Sequence, residues 1–247
     1  MGFVSPGLIL HYVLSRAFFT GALMTLLISV VALALGMVVG LAVALAQKLP
    51  GLRLAAIFYL WLFRGTPVMF QLIFVFSVLP AFGLVLSGFT CAVLALGLNE
   101  GAYMAEIMRS GLEAVGRGPV LAARALGMRE NQVMRHVVLP QALRIVVPPI
   151  GNQFIGMLKL SALVSVIAVP ELLLIAERTA SATFRYLEAL AAAGIYYLGL
   201  TTLFMLVQAV IEWRLGRRRR PAGGRRAAWP ALTQLLLRAT ADAGRTR

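Results

Sequence analysis

The chain has 247 residues, 60% of them apolar, with a mean hydropathy of +0.88 and a formal net charge of +14. Only 13% are charged, against roughly a quarter in an ordinary soluble domain, which excludes a soluble globular enzyme, a disordered protein and a coiled coil. Charge-free runs define a polytopic helical membrane protein: Ala17 to Gln47 is 31 residues, Gly65 to Asn99 is 35 and Ala189 to Ile211 is 23, where a bilayer span needs about 20.

Residues 1–17 make an N-terminal segment without the basic, apolar and cleavable order of a removable signal peptide. The first span runs from about Thr20 to Ala46 and ends before Lys48-Leu49-Pro50-Gly51. As one helix the run from Gly65 would be ~52 Å long, beyond a ~30 Å hydrocarbon core, so it turns near Pro80, Gly83 and Gly88. That yields a second span from about Ile57 to Leu79 and a third from about Phe89 to Ile107. Phe63-Arg64-Gly65-Thr66-Pro67 interrupts the second, because Pro67 lacks a donor and biases Thr66 away from helix. Two readings stay open. Non-helical backbone can border a watery substrate cavity, or a helix can begin at Pro67 with Arg64 reaching the headgroups.

The stretch 109–144 is a polar loop with its own helices. Gly118-Pro119 opens a helix that runs to Gly127, a left-handed cap. A second helix spans about Arg129 to Val138 and stops at Leu139-Pro140. Such a pair resembles a DNA-reading helix-turn-helix, but spans three and four would pin it against the bilayer. Docking into a partner's groove suits it better, and no nucleic-acid partner is expected. The fourth span, about Ile145 to Val169, starts after Pro148-Pro149 and carries Asn152, Gln153, Lys159, Ser161 and Ser165. Intramembrane polar groups are functional candidates, the serines less so because they also serve helix contacts. The fifth span is about Leu187 to Ile211. The tail, 216–247, opens on Arg217 to Arg220, with Arg225 and Arg226, a block suited to anionic lipid headgroups; Trp229 and Leu235 to Leu237 suggest an interfacial helix, with disorder the alternative.

Charge orients the chain. Of its 23 Lys and Arg residues, 19 fall on the side holding the 109–144 loop and the C-terminus, three (Arg16, Arg178, Arg185) on the other, and Lys159 within the fourth span. The N-terminus is therefore expected outside and the C-terminus in the cytoplasm. Cys91 is alone, so no intrachain disulfide forms. His11 and His136 lack ligand neighbours, and no metal site is expected.

Several motifs point to one family. Leu121-Ala122-Ala123, Gly127 and Val137-Val138-Leu139-Pro140 resemble, at matching spacing, the EAA loop of ABC-transporter permeases, with Leu121 in the glutamate's place and Val137 in the isoleucine's. Phe63 to Pro67 with Gln71 resembles the F-R-G-T-P-x-x-x-Q of polar amino-acid permeases of the histidine/arginine/glutamine type. Gly101 to Ile107 with Arg109 resembles their G-A-Y-x-A-E-I-x-R. Pro148 to Phe154, Leu158-Lys159 and Leu163 to Ile167 resemble P-P-x-G-N-E-F and L-K-D-T-S-L-V-S-V-I, and Thr183-Phe184-Arg185 their T-F-R. The resemblance covers about residues 18–215. It implies an all-α type I ABC importer transmembrane domain with about five spans in the bacterial inner membrane, working as a homo- or heteromeric permease pair. It also implies a cytoplasmic ABC ATPase dimer carrying ATP and Mg, and an extracytoplasmic binding protein. In that reading Ala122, Ala123, Gly127, Leu139 and Pro140 couple to the ATPase, while Thr66, Gln71, Asn152, Gln153 and Lys159 line the substrate pathway.

The sequence also bears on two other classes. This chain has no P-loop to hydrolyse ATP, so no cofactor is expected on it. An intramembrane hydrolase is disfavoured because the sole aspartate is Asp242 and there is no H-E-x-x-H. Glu100 and Glu106 leave an ion-coupled carrier or small channel as the alternative. Gln153 and Leu160 stand where the family motifs carry acidic residues, which favours a neutral polar or acidic amino acid over arginine, lysine or histidine.

Overall fold

Residues 5–216 are described by a computed structural model, and among them every regular element is helical. In chain order these are α1 (Pro6–Val13), α2 (Arg16–Ala46), α3 (Arg53–Gly65), α4 (Val68–Ser77), α5 (Gly88–Glu113), α6 (Arg117–Ala125), α7 (Glu130–Val133), α8 (Leu139–Leu160), α9 (Leu172–Thr183) and α10 (Tyr186–Gly216). A 3₁₀ turn (Leu79–Phe82) follows α4, and a 3₁₀ segment (Ser161–Ile167) extends α8.

The centre is the pair α2 and α5. Gly36 and Gly40 on α2 meet Glu100 and Met104 of α5, while Gly97 on α5 meets Leu35 and Ala32 of α2. Four-residue spacing of small residues lets two backbones approach, and within a bilayer packing of this kind replaces the hydrophobic drive available in water. The contacts pair rising numbers with rising numbers, so α2 and α5 run parallel. The chain between them must cross back, and α3 with α4 makes that crossing. Around this seam Ile28, Leu72, Leu96, Met157 and Val164 form the main core.

Contacts sort the chain ends onto two sides. Gly21 packs on Leu172, Gly88 on Val169, and the Ser5 N–H donates to Glu188 Oε1 at 3.5 Å, all at one end. At the other, Gly111 packs on Val146 and Gln208 donates to the Pro148 carbonyl at 3.2 Å. The α6–α7 segment lies at this second end, as does residue 212. Arg185, ion-paired with Glu188, lies at the first end, and Arg124, within the α6–α7 segment, at the second.

Several expectations change. Span two is not one helix: α3 and α4 meet at 102°. Thr66 is extended (φ −115°, ψ 145°), as a residue before proline prefers. Non-helical backbone thus interrupts the span as the first reading of Pro67 has it, while the second fails in that α3, a helix, precedes the one that begins after Pro67. Span three continues past Ile107 to Glu113, which places Arg109 inside α5 and shortens the 109–144 loop. Leu139-Pro140 does not end the second loop helix. A π-turn over Met134–Val138 joins α7 to α8, so that one apolar helix runs from Glu130 to Ile167. Pro140 sits in the first turn of α8, beside the register change, where its missing donor costs little. Pro148 and Pro149 lie within α8 rather than before it. The 1–17 boundary falls inside α2, and α1 packs with α9 and α10 around Tyr12, Phe18 and Ala189. The basic tail beyond Gly216, with Trp229 and Leu235 to Leu237, lies outside the described residues.

By length and apolarity three helices can each cross a bilayer, Arg16–Ala46, Glu130–Ile167 and Tyr186–Leu215, and the bent pair makes a fourth. The 26-residue α5 is long enough to cross but not apolar enough to count with them. Its composition is more polar because Asn99 and Glu100 are turned into the bundle, where they are 7% and 3% exposed.

Candidate functional site

The α6–α7 segment is a small folded unit. Its core is Ala123, Val133 and Val138, with Leu112 and Val115 from the end of α5 and Met128 packed against them. Gly127 closes α6 with φ +78°. The Gly127 N–H donates to the Arg124 carbonyl at 2.9 Å and the Met128 N–H to the Ala123 carbonyl at 3.1 Å, the paired bonds of a Schellman cap. Arg124 then clasps α7: its Nε donates to Glu130 Oε1 at 2.7 Å and its Nη2 to Glu130 Oε2 at 3.0 Å. That hydrogen bond holds the Glu130 carboxyl below its ordinary value of 4.5. A depressed carboxylate pKa stabilises the native state above the unfolded value and ceases to do so as pH falls through the lowered one; the clasp is therefore complete at neutral pH.

The sequence-proposed coupling residues divide. Ala123 is buried at 4% and holds α6 to α7, so it is not an outward docking group. Ala122 is exposed, next to Leu121 at 60%, and Leu126 is 83% exposed. Leu139 and Pro140 are exposed in the first turn of α8. The unit thus presents an apolar, unpaired ridge away from its own core.

A second cluster surrounds the bend between α3 and α4. In a continuous helix the Phe63 carbonyl would accept from residue 67, but Pro67 has no N–H. Two side-chain amides take that place. Gln71 Nε2 donates to the Phe63 carbonyl at 2.9 Å, the Thr66 carbonyl at 3.1 Å and Thr66 Oγ1 at 2.8 Å. Asn99 Nδ2 donates to the same Phe63 carbonyl at 2.9 Å and to Gln71 Oε1 at 3.2 Å. Thr66 and Gln71 are therefore together, but their polar atoms are engaged in shaping the elbow. A cavity of about 360 Å³ beside them, bounded by Leu62, Phe70, Phe74 and Leu98 among others, is almost wholly apolar. Asn99 was not singled out from sequence; the orphaned carbonyl four residues before Pro67 is the signal that a donor must come from elsewhere.

Just past the elbow, Arg64 Nη1 lies 3.7 Å from Glu106 Oε2, and its guanidinium sits 5.8 Å from the Tyr103 ring centre. Glu106 also accepts from Arg109, and Arg109 Nη1 donates to both Glu113 oxygens at 2.9 Å. The remaining candidates lie along α8. Asn152 Oδ1 accepts from Gln208 Nε2 at 3.0 Å in a contact with α10. Gln153 is half-buried and Lys159 exposed, neither with a hydrogen-bond or ion-pair partner among the described residues. These α8 groups are not brought into contact with Thr66 and Gln71. On the opposite side Glu171 is fully buried and caps α9, accepting from the Leu173 and Leu174 N–H groups, Thr25 and Tyr197. Among the described residues no group of three His, Cys, Asp or Glu could hold a metal ion.

A family model described as a binding-protein-dependent transport system inner membrane component matches residues 36–217. The arginine transport system permease protein of Corynebacterium glutamicum is 38% identical over 219 residues, covering 81% of this chain and 69% of that protein. The glutamine transport system permease protein of Escherichia coli is 38% identical over 199 residues, 79% of this chain and 91% of that one. A crystal structure of an amino acid ABC transporter with histidines superposes with a TM-score of 0.80 at 37% identity, over 86% of this chain and 100% of its counterpart. An inward-facing methionine ABC transporter, at 20% identity and a TM-score of 0.68, shares the fold.

Proposed function

The chain belongs to the binding-protein-dependent transport system inner membrane components, as a non-enzymatic permease subunit of the polar amino-acid type, and from that premise we propose the following working arrangement. Two permease subunits, this chain with itself or with a relative, form the pathway. A cytoplasmic ATPase dimer carrying ATP and Mg receives α6, and an extracytoplasmic binding protein delivers a polar amino acid. The observation that carries this reading is the exposed apolar ridge of Leu121, Ala122 and Leu126 on a helix whose own core is already satisfied. The family match supports it. Co-purification from the native membrane tests it: an ATPase subunit and an exported binding protein should accompany the chain.

The bundle orientation follows from charge, with the α6 end cytoplasmic. A cysteine replacing Ser87 should be labelled from outside by an impermeant thiol reagent, and one replacing Arg117 should not. Reversed labelling would defeat the orientation. Buried Cys91 provides little background.

For the substrate pathway, Gln153 and Lys159 are the α8 groups whose side chains remain free to meet solute, with Asn152 next to Gln153, while Thr66 and Gln71 shape the elbow of the broken span. The α8 segment 139–160 holds no carboxylate. Opposite charge in a low-dielectric cavity is worth several kcal/mol at most after desolvation, enough to set preference among side-chain classes. A neutral polar or acidic amino acid should therefore be taken in preference to arginine, lysine or histidine. A radiolabelled uptake panel with the whole complex decides this, and preferred uptake of arginine or lysine would refute the charge argument. The ion-coupled carrier reading, based on Glu100 and Glu106, requires uptake that follows the proton gradient without the ATPase.

A further inference from the structure

We propose that Arg64 and Glu106 are a positioning pair through which displacement of α6 reaches the broken span α3–α4. The proposal rests on the permease reading above. The elbow is not a continuous helix, so its angle depends on what holds it from outside. α5 does so at three places. The Tyr59 hydroxyl donates to the Leu98 carbonyl, Asn99 donates to the Phe63 carbonyl, and Glu106 meets Arg64. The first two are neutral contacts in the middle of α5. The third differs in what lies beyond it.

Glu106 shares its carboxylate between Arg64 and Arg109, and Arg109 bonds Glu113, the last residue of α5. Charges of alternating sign thus run from the elbow to the end of the helix, about 10 Å at 1.5 Å per residue. In that same last turn Leu112 is packed into the core of the α6–α7 unit with Ala123 and Val133. Movement of α6 therefore tilts the helix end that carries Glu106. Arg64 must follow or lose its one carboxylate among the described residues, while the far face of α3, with Leu54, Phe58 and Trp61, is exposed. Asn99 sets the bend; Glu106 sets where the bent piece sits relative to the loop.

The test uses the complete transporter, with its ATPase and binding protein, in liposomes, and reads solute taken up per ATP hydrolysed. Arg64→Gln and Glu106→Gln should each lower that ratio about tenfold. Arg64→Gln/Glu106→Gln should lower it no further than one change alone, and Glu106→Asp should recover most of it. Unchanged ratios in the single variants overturn the proposal, and so do losses that multiply in the double variant. Failure of both single variants to assemble with the ATPase would make the pair a folding contact only, which overturns it too. If just one assembles, its ratio against that of the charge-conserving Arg64→Lys decides in the same way. A native complex without ATP-driven uptake would instead refute the permease reading.

Discussion

Gly40→Leu is expected to abolish the folded permease, and Gly40→Ala to weaken it severely. A Cβ at this position would lie 2.4 Å from the Met104 Cβ, 2.8 Å from the Ala105 nitrogen and 3.0 Å from the Gly101 carbonyl oxygen. Two of those three atoms are backbone of α5, so no rotamer change relieves the contact; the helices must separate. Adding methylenes to a well-packed interior costs about 1–3 kcal/mol where side chains can yield, and here the first added carbon already overlaps. Separation would also undo the Gly36 and Gly97 contacts earlier along the two helices, since all belong to one seam. The control is Gly199→Leu on α10, where an added Cβ meets nothing within 4 Å. The amount of monodisperse protein recovered from membranes, and its midpoint on heating in detergent, should collapse for Gly40→Leu and stay near native for Gly199→Leu. Equal stability of the two would mean that α2 and α5 do not meet as described.

The particulars of this fold differ in how far composition and pattern expose them. The charge-free runs reveal α2 and α10 because bilayer solvation is read residue by residue, and the charge asymmetry reveals sidedness for the same reason. Gly127 was legible because a left-handed cap has few chemical solutions. By contrast, α9 and the continuation of α5 to Glu113 were missed. Neither is apolar enough to register as a span, and both owe their helicity to what they pack on. The π-turn that carries α7 into α8 past Pro140 was hidden for a related reason: proline marks a missing donor, not whether the donor is needed. From spacing alone, polar residues in spans read as facing the solute. Gln71 is engaged by the Phe63 carbonyl that Pro67 leaves without a backbone donor, Thr66 by Gln71, and Asn152 by Gln208 of α10, a neighbour that spacing does not identify. Lone polar residues cannot be assigned to a pathway or a joint from spacing, because both demand the same amide chemistry.

Gly127→Val should leave the permease inserted and assembled yet cut transport to a small fraction of native. Nothing lies within 4 Å of a Cβ built at Gly127, so the effect is conformational rather than a clash with a neighbour. At φ +78° an L-residue pays roughly 1–2 kcal/mol, and a β-branched one is a genuine outlier there. The chain escapes by rotating the residue back to negative φ. That breaks the two cap bonds from Gly127 and Met128, draws Met128 out of the Ala123–Val133 core, and re-aims α6 with its Leu121 and Leu126 ridge. The membrane bundle, held by the α2–α5 seam, is untouched. Gly127→Asn provides the discriminating partner, since asparagine tolerates the left-handed region while adding a side chain of similar bulk. Uptake measured in a strain without redundant permeases should be largely retained by Gly127→Asn and lost by Gly127→Val, with ATP hydrolysis no longer tied to uptake in the latter. Normal uptake by Gly127→Val would remove α6 from the coupling role. Equal loss in both would place the requirement in the absence of a side chain, a surface the ATPase must approach, rather than in the backbone turn.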